Sequence, residues 1–371
     1  MIIVTIIAFI VIFSLLVLVH EWGHFIMARR AGMKVEEFGI GLPPRAKALY
    51  KDKKGTIYSL NYIPFGGYVR LYGEDTSDPK ALQAKNSFAS KSIGARAGVI
   101  VAGVFMNLVL AWALITIGFT FGMRPFLVTD QDFASAVKAG HVVTTPVLYI
   151  HEVMPDLPGS ASGLRSGDLI IDVNGQGVPA AEDFRSVLKP KEQNHLKVLR
   201  DEKELSFDLL PNAEDKVGLS ISREEWVTQV NPVRYPFYLA PLKSFQEVQR
   251  LSVLTVEMLG KVVVSLVSKF TVPEGVAGPV GIARMTHSFV KQGFMAVLQF
   301  TALISISLGV INIMPFPGLD GGRFLFIAFE FVLRRRPNAK WEAAIHTVGF
   351  GLLMLLILVV TWNDIVQLIN R

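Results

Sequence analysis

The sequence predicts a polytopic α-helical membrane protein with about four transmembrane helices, a membrane-associated β-hairpin or sheet, and one α+β domain outside the bilayer. Three observations predict it. Four apolar stretches, 2–27, 99–119, 294–314 and 343–362, each come near the roughly 20 residues that a spanning helix needs. Of 371 residues, 51% are hydrophobic and only 18% charged, which leaves room for one modest polar domain beside the spans. That domain is signalled by short alternating runs and turn residues over 143–211.

Charge gives the orientation. Arg29–Ala95 holds 12 Lys/Arg against 6 Asp/Glu, and Arg334–Lys340 holds 4 with no acid. Phe121–Gly293 holds 18 basic and 20 acidic residues. Excess Lys/Arg marks the cytoplasmic side, so both basic loops are expected there, with the long segment and both termini outside. The net charge of +6 is then a matter of topology, and no nucleic-acid partner is expected. Cys is absent, which excludes disulfides, thiolate ligands and cysteine nucleophiles.

Residues 1–28 form the first expected helix. Met1–Val19 carries no charge, and without a basic leader or a small-residue cleavage site it reads as a retained span. Residues 29–95 form a cytoplasmic or membrane-associated β region. Phe38–Pro44 and Ile57–Leu71 read as strands and turns; the pair is either an ordinary surface hairpin or an edge offered to an extended peptide. Thr76–Ile93 reads as a loop or surface helix. The second span, 96–121, contains Gly103-Val104-Phe105-Met106-Asn107. An Asn inside a span either packs against a neighbouring helix or serves a site.

Within 143–211, Val147–Val153, Leu169–Val173, His195–Arg200 and Leu205–Leu210 read as strands and Ala181–Leu188 as a helix. Residues 212–293 read as an outward-facing linker. In it Ser252–Phe270, apolar but carrying Glu257 and Lys261, is expected to be an amphipathic interfacial helix, and Gly275–Ile282 a turn. Residues 294–322 form the third span and an Asp-Gly-Gly segment, 323–342 a cytoplasmic loop, and 343–365 the fourth span.

His20-Glu21-Trp22-Gly23-His24 follows directly on the uncharged stretch. Four residues apart on a helix, His20 and His24 share a face and can bind one metal ion. Glu21 is close enough to act as general base on a metal-bound water. A catalytic zinc takes three protein ligands plus water. His141, His151, His195 and His287 fall in the outward segment, leaving His346 and Asp320 on the same side as the motif. Asp320 is the stronger candidate. It lies in Asn312-Ile313-Met314-Pro315-Phe316-Pro317-Gly318-Leu319-Asp320-Gly321-Gly322, whose prolines and glycines break the helix where only protein or a water-filled cavity can surround it. A carboxylate at that depth needs a partner or a cation.

Two resemblances gather these motifs. Pro158–Ile170, with its Gly163-Leu164-Arg165-Ser166-Gly167-Asp168 turn and the following Asn174-Gly175, is similar to a PDZ domain, a family known for adding peptide ends to a sheet. The whole chain resembles the site-2 protease family of intramembrane metalloproteases, most of all its bacterial RseP-like branch. The matching motifs are His-Glu-x-Gly-His at 20–24, Phe-Gly-Ile-Gly at 38–41, Pro-Phe-Gly-Gly-Tyr-Val at 64–69, Gly-Pro-Val-Gly-Ile at 278–282 and Asn-x-x-Pro-x-Pro-x-Leu-Asp-Gly-Gly at 312–322. In the second span Val104 stands where the family often has proline, and one PDZ copy is visible where the best-known relatives carry two.

The resemblance implies Zn2+ held by His20, His24 and Asp320, with Glu21 as catalytic base. It implies that Asn312, Pro315 and Pro317 hold an unwound substrate and that Phe65, Gly66, Gly67, Tyr68 and Val69 pair with it; with Val104 in place of the family's proline, Asn107 is left open between a role in the site and packing against a neighbouring helix. Expected substrates are transmembrane proteins such as anti-sigma factors, or remnant signal peptides, cleaved in a bacterial inner membrane with the PDZ domain periplasmic. The PDZ ligand is left open. The rival readings are a membrane-anchored zinc peptidase acting on soluble peptides and a non-catalytic PDZ-bearing scaffold.

Overall fold

The computed structural model describes residues 2–74, 79–177, 184–201, 203–269, 277–335 and 338–369. The first half holds α1 (Ile2–Arg30), β1 (Val35–Lys51), β2 (Ile57–Leu71), α2 (Pro79–Gln83), α3 (Ile93–Phe121), α4 (Asp130–Lys138), β3 (Val142–Val153), α5 (Pro158–Ala161), β4 (Leu169–Val173) and α6 (Phe184–Val187). The second half holds β5 (Asn194–Arg200), β6 (Lys203–Leu209), β7 (Leu219–Val230), α7 (Ala240–Lys269), α8 (Pro279–Gln292), α9 (Phe294–Ile313), α10 (Asp320–Leu333) and α11 (Ala339–Ile369). They divide into two units, Met1–Met123 with Arg234–Arg371, and Arg124–Val233.

In the first unit, four helices among the described residues are long and apolar enough to cross a membrane: Ile2–Arg30, Ile93–Phe121, Phe294–Ile313 and Trp341–Val366. The central one is α3, which packs against both α1 and α9. Its buried residues Val99, Gly103, Asn107, Ala111 and Ile115 recur every four positions, one stripe of a helix. Small residues let the backbones approach: a Cβ at Gly23 of α1 would collide with the Ala102 carbonyl of α3. Six residues earlier on α3, buried Arg96 bonds Glu330 of α10 at 2.7 Å. Breaking such a pair costs about 3–5 kcal/mol because it strands the other charge, so it pins α10 to α3.

The turn between β1 and β2 is built by Asp52, whose Oδ1 accepts from the Lys54 and Thr56 amides. Glu37–Ile40 lies in register with Ile57–Leu60 on one side and with Gly67–Arg70 on the other. Gly67–Leu71 is therefore an edge. Glu37 is buried beneath this sheet, where it accepts from Arg45 Nε at 2.7 Å and Ser59 Oγ at 2.7 Å. Burial alone would push its carboxyl up, but hydrogen bonds from Arg45, Ser59 and Tyr68 outweigh it and hold the group at about 2.

Four elements differ from the sequence expectation. The amphipathic helix begins at Ala240, not Ser252. Lys243, Glu247 and Arg250 make its first turns look like loop, yet Ala240, Ser244, Val248 and Leu251 are buried, and the helix packs on α3 and α9 instead of standing apart. Residues 279–282 are not a turn: Gly278 caps α8 and Pro279 opens it, a position where proline loses no hydrogen bond. Residues 275 and 276 of that expected turn lie outside the described ones. The expected loop 323–342 is helical through Leu333, because Arg96 satisfies the one acidic residue in an otherwise apolar run.

The fourth difference concerns the second unit, an antiparallel sheet ordered β6-β5-β4-β3-β7. The sequence ends this domain at residue 211, but Leu219–Val230 pairs with β3 along its length. Its Ser-Arg-Glu-Glu centre reads as linker, whereas Leu219 and Ile221 pack on the core of Leu148, Ile150, Ile170, Leu196 and Val198. The four expected strands are found as β3 to β6. Of the expected helix 181–188, Phe184–Val187 is helical and 181–183 lie outside the described residues. Asp168 of the Gly-Asp turn is buried, bonded twice by Arg200 at 2.6 and 2.8 Å and by the Arg165 amide. The motif thus closes the turn and is structural.

Candidate active site

The site is assembled from opposite ends of the chain. His20 and His24 project from one face of α1. Asp320 is the first residue of α10, after the Met314–Leu319 break that ends α9. His20 Nε2 lies 2.9 Å from Asp320 Oδ2, His24 Nε2 lies 3.2 Å from the same oxygen, and the two Nε2 atoms are 3.1 Å apart. Both imidazoles are buried.

The triangle fits a tetrahedral cation. Ligand atoms about 2.0–2.1 Å from zinc sit roughly 3.3 Å from one another. His24 Nδ1 donates to the Val99 carbonyl at 2.8 Å, so its Nε2 carries a lone pair. That lone pair faces a second imidazole nitrogen and a carboxylate oxygen, which only a proton or a cation can reconcile. Among the described residues this is the cluster of three His, Cys, Asp or Glu side chains able to hold a metal.

The other predicted site residues distribute around it. Glu21 accepts from the Val69 amide at 2.9 Å, so the sheet edge holds the carboxylate next to His20. The whole Phe65–Val69 stretch runs along α1. Phe65 stacks on Phe9 and Phe13, Gly66 lies against Val17, and Gly67 against Leu18. Tyr68 covers Gly39, where a Cβ would collide with its ring. Asn107 of α3 is 1% exposed, with Nδ2 3.4 Å from His20 Nδ1. Asn312 is in the last turn of α9 and Pro315 in the break. Pro317 packs on Gly349 of α11, where a Cβ would strike its carbonyl.

Five residues contribute in ways the sequence reading did not give. Val99 acts through its carbonyl, which no side-chain pattern reports. Gly103 gives the imidazoles room: a Cβ there would collide with His24 Nε2 and come within 2.9 Å of His20 Cε1. Its signal was its place four residues before Asn107. Gly321 and Gly322 read as helix breakers but lie inside α10, where they admit the Ile313, Met314 and Phe316 carbonyls. His346 is not a fourth member of the trio. Its Nδ1 accepts from the Gly318 amide at 3.0 Å, bracing the loop that presents Asp320.

Residues 8–356 match the profile of peptidase family M50. The chain belongs to that family. M50 relatives include the zinc metalloprotease RasP of Oceanobacillus iheyensis, 30% identical over 98% of this chain and 99% of its own. The RasP of Shouchella clausii is 29% identical over 99% and 100%. A PDZ domain of an SdrC-like protein from Listeria innocua matches 21% of this chain and 92% of its own, at 26% identity and a TM-score of 0.18. The M50 chain is a zinc metalloprotease of the site-2 protease type, in the RseP-like branch and in a bacterial membrane.

If the His20, His24 and Asp320 cluster holds the metal, Gly103→Ala is expected to weaken zinc binding by at least about 10-fold. The helix should not suffer, since alanine is the better helix former by about 1 kcal/mol. Metal content and circular dichroism of the purified variant check both halves.

Proposed function

We propose that His20, His24 and Asp320 hold the zinc of an intramembrane protease and that Glu21 is its general base. The observation that carries this reading is the convergence of the three ligand atoms on one point, with Glu21 docked on the sheet edge beside them. Held by these three residues, zinc would supply Lewis-acid activation of a water and of the scissile carbonyl at neutral pH. Glu21 takes the water's proton and returns it to the leaving amine, while the Val69 amide keeps the carboxylate in place.

The substrate is a transmembrane segment. Its carbonyls are hidden in helical hydrogen bonds, so it must unwind before cleavage. Pairing with the Phe65–Val69 edge replaces the lost backbone bonds, and Asn312, Pro315 and Pro317 in and beside the α9–α10 break hold the opened strand. The exposed Leu42, Leu49, Tyr50, Tyr62 and Ile63 support a sheet lying against lipid. Single-span regulators such as anti-sigma factors, and remnant signal peptides, fit this chemistry. The excess of Lys/Arg in the two basic loops supports a site near the cytoplasmic side of an inner membrane, with the PDZ domain, acting as a peptide binder or as a gate, on the periplasmic side.

The test is cleavage of a purified single-span substrate by the full chain in detergent. Cleavage should stop with a zinc chelator, return on adding zinc, and favour substrates with helix-weakening residues in the span. A soluble peptide of the same sequence cut equally well would favour a peptidase working outside the bilayer. No cleavage of any substrate would favour a scaffold.

A further inference from the structure

We infer that Asn107 sets the tautomer of His20, its amide turned so that Oδ1 accepts a hydrogen bond from His20 Nδ1–H. The inference rests on the metal site proposed above and concerns how one ligand is prepared for it. His20 offers Nε2 to the trio, 2.9 Å from Asp320 Oδ2 and 3.1 Å from His24 Nε2. An imidazole that coordinates through Nε2 carries its proton on Nδ1. That Nδ1–H needs an acceptor, and a metal-bound histidine nearly always has one.

His24 has the Val99 carbonyl. His20 has Asn107, whose Nδ2 lies 3.4 Å away. With the amide in that orientation, two donors face each other across the gap. The amide's other end agrees with the turn. Asn107 Oδ1 is buried, and among the described residues no donor reaches it, so nothing there requires an oxygen. The oxygen and nitrogen of an amide are assigned from the hydrogen-bond network and not from shape, and here His20 decides.

The side chain cannot swing away to avoid the choice. Asn107 is 1% exposed. Its backbone carbonyl accepts from Ser305 Oγ of α9 at 2.7 Å, and a Cβ on Gly309 would lie 3.6 Å from its Cβ, so α9 packs closely over this turn of α3 and leaves the side chain little room. With α9 on one side and His20 on the other, Asn107 is a positioning residue. It touches neither substrate nor metal and acts by fixing which nitrogen of His20 is free.

The experiment measures zinc affinity of the full chain in detergent by competition with a chelator, for wild type, Asn107→Leu, Asn107→Asp and Asp320→Ala. Leucine keeps the branched shape, at a larger volume, and removes the acceptor, and should weaken zinc about 10–100-fold. Aspartate keeps an acceptor oxygen at the same reach and should stay within a few-fold of wild type. A folded Asn107→Leu protein that binds zinc like wild type overturns the inference, as does Asn107→Asp falling as far as Asn107→Leu. If Asp320→Ala also keeps its zinc, the metal site itself is wrong; if only Asn107→Leu keeps it, the tautomer assignment alone is wrong. Should the Asn107 variants not fold, selectively labelled zinc-loaded wild type gives the answer by magnetic resonance. His20 protonated on Nδ1, without a close contact to the Asn107 amide protons, supports the turned amide. A close contact to those protons refutes it.

Discussion

Asp320→Ala protein is expected to purify with helices intact and with almost no zinc, where wild type carries about one ion per chain. Two imidazoles four residues apart remain on α1, but they supply only two of the three protein ligands a catalytic zinc takes. Structural zinc sites are worth roughly 10–16 kcal/mol over four ligands, so one ligand accounts for about 3 kcal/mol, or roughly 10²-fold in affinity. The loss should exceed that figure, because the removed ligand is the one that carries negative charge. The fold has other reasons to keep α10 in place: Arg96–Glu330 at 2.7 Å and the glycines that seat α10 on the α9–α10 break. Metal analysis beside a circular dichroism spectrum separates loss of the ligand from loss of the helix. Full zinc content in a folded Asp320→Ala chain would mean that the ends of the sequence do not meet around the ion.

That meeting was legible because its members are chemically conspicuous. A His-Glu-x-Gly-His run after nineteen uncharged residues, and an Asp among prolines and glycines at the end of another apolar run, have few bland explanations at membrane depth. What was not legible is carried by backbone and by absence of side chain. The Val99 carbonyl and the Val69 amide have no identity in a sequence, and Gly103 matters for the volume it leaves to His20 and His24. Helix boundaries failed where a polar exposed face masked a buried one. Lys243, Glu247 and Arg250 hid the start of α7, and Ser222 to Glu225 hid a strand whose Leu219 and Ile221 reach the core. In α10, Glu330 looked like loop composition because its partner, Arg96, is 234 residues away.

Glu21→Gln should do the opposite of Asp320→Ala: cleavage falls by at least about 10²–10⁴-fold, the usual weight of a general base, while zinc and substrate stay bound. The structure explains why this substitution is clean. Glutamine matches glutamate in size, and its amide oxygen can still accept from the Val69 N–H that Glu21 accepts from at 2.9 Å, so the sheet edge stays docked on α1. What it lacks is the ability to take a proton at neutral pH. The three proposed ligands are untouched. A trapped complex with a single-span substrate, copurifying with zinc, is therefore the expected state of the variant. Its cleavage rate is read against wild type at equal metal content. Unchanged cleavage would remove Glu21 from the reaction while leaving the zinc site standing. Substrate binding that is lost together with cleavage would place Glu21 in substrate docking rather than proton transfer, because its carboxylate bonds the Val69 amide on the edge proposed to pair with substrate.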